Sequence, residues 1–365
     1  MVHCPRELLL EHKLSTRLVA GEESNLPDSL QTFLNYCCPL LTSCHRSIQL
    51  AAYRLLFKVI PELPIYDDKT VSPDGACSDT ECSHCPPRPL VTVIEVGDLG
   101  IGPALRDADF GKTAVLDPFE SGFSSAMAYL LGWNLLLEFF RTARSELRVQ
   151  YAQWLSEHGV MNPLMQNVFH LMPQNPVVML KDSLVSNGAS KKLTSSRNMF
   201  SDDPSFEIRV LNSSQSAIHL QHIACCVYRR SLETLPALVR QWWMEQDKCV
   251  SGIVEKFTAK HVSPLLCARE LQVIQKTSGS FVSMAIKARP ATREVIATYT
   301  VEDSNMELVI TLPANMPFGA ISVESGNRVG VAKPQWRNWM LQLTVFLGFQ
   351  VGIAIHLMCL VLALN

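Results

Sequence analysis

Apolar positions in the first half of the chain recur with a helical period. Asp28 can cap a helix whose inner face is Leu30, Phe33, Leu34, Cys37, Cys38 and Leu41. Ser47 can cap a second, with Ile48, Ala51, Ala52, Leu55, Leu56 and Val59 on one face, ended by Pro61 and Pro64. Two helices with such wide apolar faces cannot bury them alone, so 1–66 reads as a HEAT-like pair that needs stacked neighbours. Residues 67–120 hold Ser, Pro, Gly and Cys clusters around one short apolar run, Val91–Val96, and read as a loop-rich linker. Helical spacing returns over 121–230. There Met127–Phe140 is apolar nearly all round and should be buried, and 181–206 is polar enough to read as a disordered insertion. A helical lead-in is expected over 231–280, with Leu235, Leu238, Val239, Trp242 and Trp243 at i, i+3, i+4, i+7 and i+8.

Near Phe281 the period drops from 3.6 to 2. Val282, Met284, Ile286 and Ala288 form one alternating run. Val295–Val301, Met306–Leu312 and Ile321 with Val323 form three more. Short gaps make these an antiparallel meander, and Trp336, Trp339, Met340, Leu343 and Leu347 then share a helix face. The fold class expected is therefore mostly α, HEAT-like solenoid helices, followed by a small α+β domain with a four-stranded antiparallel sheet over 281–347.

Composition narrows the function. Of 365 residues, 47% are apolar and 18% charged, with a net charge of −2, which excludes a disordered chain and gives no basic footprint for DNA. The twelve cysteines lack a disulfide rhythm, and charges break up the N-terminal apolar run, so a cytosolic address is expected. Asn212-Ser213-Ser214 fits a glycosylation acceptor that carries little meaning in that compartment.

Motifs for chemistry are sparse. Phe110-Gly111-Lys112-Thr113 resembles the end of a phosphate-binding loop, but position 106 is Arg where that loop needs Gly. Cys77, Cys82, His84 and Cys85 carry ligand-type atoms, yet all sit in one loop with no second pair. No metal or other cofactor is assigned, and Cys77, Cys82 and Cys85 remain the only candidates. No Gly-x-Ser-x-Gly elbow occurs. No cysteine lies between Cys267 and Cys359, which excludes thioester chemistry on the sheet domain. Arg289, Arg293, Arg328, Lys333 and Arg337 make that domain locally basic, a surface for a phosphate-rich or acidic partner if the charges converge.

Four stretches carry a family likeness: Leu235–Trp243 (LPALVRQWW), Ile253–Ser263 (IVEKFTAKHVS), Lys287–Asp303 (KARPATREVIATYTVED) and Val323–Leu343 (VESGNRVGVAKPQWRNWMLQL). They resemble the C-terminal region of the listerin family, RING-type ubiquitin ligases of ribosome quality control. Ser47–Asp68 resembles the family's last HEAT-like repeats. The resemblance implies that 281–347 is an RWD domain, the ubiquitin-conjugating fold without its cysteine. It further implies partners in the large ribosomal subunit and quality-control factors, with Arg328, Lys333 and Arg337 as candidate ribosome contacts. A ubiquitin-conjugating enzyme would bind only through a zinc-holding RING, which this chain is expected to lack, so that alone it is expected to transfer no ubiquitin. A RING-less scaffold and a tail-anchored adaptor are the alternatives.

Residues 348–365 read as a divergent apolar tail. Val345–Leu364 has membrane length, but Met340, Leu343 and Leu347 are needed by the preceding helix, which shortens the free segment. An altered C-terminus is therefore expected rather than a membrane anchor.

Overall fold

The computed structural model describes residue 6, residues 26–68, 85–106, 108–182, 193–208, 211–277, 284–301 and 304–329, and most positions of 333–342. It forms two compact units, Met1–Leu235 and Pro236–Asn365.

The first unit contains helices α1 (Asp28–Cys37), α2 (Arg46–Val59), α3 (Pro64–Asp68), α4 (Arg88–Leu105), α5 (Ser121–Thr142), α6 (Ser145–Glu157), α7 (Met161–Leu171) and α8 (Ser213–Thr234). A hairpin of β1 (Val177–Asp182) and β2 (Leu193–Asn198) sits between α7 and α8. Helix α5 is the core. Every residue from 126 to 140 is buried, and α2, α4 and α8 pack around it, as its all-round apolarity predicts. It is the only helix among the described residues long and apolar enough to span a membrane, and its burial marks it as a core helix.

Helix α4 corrects the reading of 67–120 as linker. Gly97, Gly100, Gly102 and Pro103 weaken its helical propensity, so the sequence hides it. Packing supplies the reason for two of these glycines. A Cβ on Gly97 would lie 2.9 Å from the Tyr129 Cβ, and one on Gly100 would collide with the Ser125 Oγ. From the other side, a Cβ on Gly132 of α5 would lie 3.0 Å from the Ile94 Cγ1. The axes approach closely because Cβ atoms are missing at the seam, and tertiary packing overrides local propensity.

Residues 181–206 are corrected in part. Positions 183–192 lie outside the described residues, but the hairpin precedes a strap, 199–208, that docks on the unit. Met199 and Phe200 are buried, and the Phe206 ring lies 4.2 Å from that of Tyr53.

Helix starts also differ from expectation. Asp28 and Arg46 are already helical, and Pro27 and His45 precede them without side-chain caps. The clear capping box is at α8. There Asn212 Oδ1 accepts from the Gln215 N–H, and the Asn212 N–H donates to Gln215 Oε1. The sequon asparagine is thus a helix cap.

The second unit opens with α9 (Pro236–Glu245), α10 (Lys248–His261) and α11 (Ser263–Thr277). Asp247 caps α10 by accepting from the N–H groups of Cys249 and Val250. Four strands follow in the order β3-β4-β5-β6, all antiparallel: Met284–Arg289, Glu294–Val301, Ser304–Thr311 and Ser322–Val329. Val295, Ala297, Met306 and Ile310 are buried on one face, as the alternation predicts. The 313–320 loop is fastened to the helices. Ser263 Oγ donates to the Met316 carbonyl at 2.6 Å, Asn315 Nδ2 donates to Glu255 Oε1 at 2.8 Å, and Phe318 stacks on Trp243.

Candidate functional site

The five basic residues singled out in the sheet domain separate into two groups. Cross-strand register puts Arg289, Glu294, Thr311 and Ser322 in one row, and Met284, Tyr299, Met306 and Arg328 in another. Five residue steps of strand, about 17 Å, separate those rows. Arg289 pairs with Glu294 at 3.6 Å, and Arg293 occupies the adjoining turn with φ of 57°. That end of the sheet is therefore partly neutralised.

Arg328 stands at the other end, placed by its backbone opposite Met306. Lys333 and Arg337 follow on described helical positions, four residues apart and both exposed. Between them Trp336 is buried, and its indole N–H donates to Ser325 Oγ at 3.0 Å. One apolar anchor thus ties this helical stretch to β6 while its cations face water.

Cysteine chemistry is absent where a conjugating fold would need it. Cys267 is buried, its thiol in hydrogen-bond range of the Pro313 carbonyl, and burial pushes its pKa up to about 11. An inert, protonated thiol of this kind is a packing residue.

The helical unit holds a polar network that sequence reasoning missed. Asp203 of the strap accepts from Arg229 at 2.5 Å and from Arg230 at 3.0 Å. Arg229 also donates to the Phe200 carbonyl, and Arg230 lies 3.7 Å from Glu138, which pairs with Arg141. Beneath them Cys226 lies within hydrogen-bond range of Asp203, and Asn134 donates to the Tyr53 hydroxyl at 2.6 Å. Burial alone would raise the Asp203 pKa. Arg230 and Arg229 outweigh it and hold the carboxyl below its usual range. The network fixes the strap and offers no activated nucleophile, since burial pushes the Cys226 thiol up to about 12. An Asp-Asp-Pro run near an Arg-Arg pair was the only sequence signal for it.

The Phe110–Thr113 stretch is a surface loop. Lys112 pairs with Asp109 at 2.6 Å, and Thr113 donates to the Met172 carbonyl. Among the candidate ligands Cys85 is exposed, while Cys77, Cys82 and His84 lie outside the described residues, as does the tail from 343 onward. Among the described residues no group of three His, Cys, Asp or Glu could hold a metal ion.

Comparison with known proteins also divides the chain in two, but at 275–284 rather than at 235, so that α9–α11 fall with the helical repeats. The LTN1 family HEAT repeat region matches residues 26–275, and a ubiquitin conjugating domain-like model matches 284–358, running into the stretch set apart above as a divergent tail. The chain is 42% identical over 352 residues to the E3 ubiquitin-protein ligase listerin of Gallus gallus, covering 96% of this chain and 19% of the relative. Against its Xenopus tropicalis counterpart the identity is 41% over 347 residues, 95% of this chain and 20% of the relative. The Saccharomyces cerevisiae listerin is 24% identical over 60% of the chain and 14% of its own length. This chain spans about a fifth of the length of the vertebrate relatives it matches. A helical repeat unit that matches the family's HEAT region, followed by a cysteine-free sheet domain of conjugating-enzyme type, places the chain in the listerin family.

Proposed function

We propose that this region serves a listerin-type ubiquitin ligase as a docking module, holding the ligase on the large ribosomal subunit in the cytosol. The observation that carries the reading is a conjugating-type sheet domain with no cysteine between Cys267 and Cys359. A domain that keeps the fold and lacks the nucleophile is suited to binding rather than to transfer. Ubiquitin transfer, the conjugating-enzyme partner and zinc are assigned to the family's RING, not to the residues described here.

Arg328, Lys333 and Arg337 are the proposed contacts: Lys333 and Arg337 face water, where cations suit ribosomal RNA phosphates or acidic ribosomal proteins, and Arg328 is included by its backbone position in β6. The test is co-sedimentation of the full chain with purified large subunits. Binding at low salt that weakens steeply as salt rises is expected. Reversal of Lys333 and Arg337 to Glu should weaken it roughly tenfold or more, through two lost ionic contacts. No pelleting at low salt would overturn the docking reading, and unchanged binding in the double variant would remove this face from it.

A further inference from the structure

Among the described residues, Arg46 of the helical unit is a cation without a counter-charge and forms no ion pair. Its Nη2 contacts His219 Nδ1 at 2.9 Å, and its Nε is shielded from water without a hydrogen-bond partner. His219 does not balance the charge. Its Nε2 lies 2.7 Å from the Ser205 carbonyl and so carries the proton, which leaves Nδ1 as acceptor on a neutral ring. Burial lowers the Arg46 pKa, and no carboxylate acts against that effect. A half-buried guanidinium bonded only to a neutral ring is costly unless an anion completes it.

Arg46 lines a cleft of about 290 Å³ whose twelve lining residues include no Asp or Glu. Ser47, Ser124, Ser213 and Ser216 also line it, from the first turns of α2, α5 and α8. Phe119 borders it with 88% of its surface exposed. We infer that this cleft binds a phosphate group, with Arg46 as its cation and the Ser47, Ser213 and Ser216 hydroxyls as further donors, the Ser124 hydroxyl being turned to the Cys44 carbonyl. A carboxylate fits less well. It is planar and offers two oxygens, fewer acceptors than the guanidinium and three hydroxyls gathered here can serve. Donors arriving from the first turns of two helices, α2 and α8, suit the several oxygens of a tetrahedral anion. The inference does not rest on the docking reading above.

The test is thermal unfolding of the full chain at pH 7 in potassium phosphate against potassium chloride of equal ionic strength, repeated with AMP and with an acidic peptide. Phosphate is expected to raise Tm in the wild type. Arg46→Gln should weaken phosphate binding roughly tenfold or more, the worth of one charge-assisted hydrogen bond. Ser47→Asp, at an exposed position, keeps the proposal testable if the arginine variant folds poorly. Its carboxylate should occupy the cleft, raise Tm by about 2 °C and abolish the phosphate response. A larger AMP effect that Phe119→Ala removes would show that the phosphate arrives on a nucleoside, and equal effects would show that the phosphate group alone is held. No phosphate-dependent shift, a shift that survives both cleft substitutions, or protection by the acidic peptide alone would overturn the proposal.

Discussion

The two units bury their apolar residues in opposite ways. The helical unit concentrates burial in α5, a helix covered on every side and approached by α4 through missing Cβ atoms. The sheet unit spreads burial over alternate residues of short strands and a loop fastened to helices. A concentrated core is intolerant at a few positions. A distributed one divides its sensitivity among many positions.

The largest test of that contrast is Phe139→Ala in α5. It should cost about 3–5 kcal/mol in denaturant unfolding of the helical unit, because the site cannot collapse around the cavity. The transition of the sheet unit, followed through Trp336, should stay in place. Equal loss in both would show that the units unfold as one.

Glycines sharpen the comparison because the sign changes. Gly97→Ala should destabilise by about 1–3 kcal/mol, since the new methyl meets the backbone and Cβ of Tyr129. Gly252→Ala in α10, where nothing lies within 4 Å, should stabilise by about 0.5–1 kcal/mol. A destabilising Gly252→Ala would show hidden contact on that helix.

The strap comes next. Asp203→Ala should cost about 1–2 kcal/mol, a half-exposed carboxylate being discounted for solvent. Hydrogen exchange should then rise over 199–208 before it rises in α5. Acid acts at the same strap through His219, whose pKa burial and Arg46 lower to about 4. Above pH 6.5 the ring is neutral in both states and contributes nothing to the pH dependence. As pH falls from 6.5 toward 4 the unfolded chain takes up a proton that the folded ring refuses, so stability declines and then levels off. His219→Gln should flatten that part of the profile.

The smallest effect belongs to the sheet's turn. Arg293 holds φ of 57°, a conformation that favours glycine, so Arg293→Gly should stabilise by a few tenths of a kcal/mol to about 1 kcal/mol.

Legibility in the sequence followed the same divide. Met127–Phe140 declared its burial because no polar face interrupts it, and the meander declared its four strands by alternation. The far half of β6 was missed, because Glu324, Ser325, Gly326 and Asn327 replace the apolar alternation beside a register shift in its partner. Helix α4 was missed because the glycines that lower its propensity are those its packing requires. The strap was missed because a segment held by Asp203 and two arginines has the composition of a solvated loop. The Arg46 cleft was illegible for a different reason: its lining comes from three helices far apart in the chain.

Helix α5 has one more consequence, for the order in which the chain is made. Its cover comes from both directions, α2 and α4 before it and α8 after it. Synthesis must therefore run on to Thr234, about ninety residues past the end of α5, before the last of that cover exists. At ~5–20 residues per second this is on the order of 5–20 s. Throughout that interval a segment apolar enough to cross a membrane stands incompletely covered at the ribosome surface.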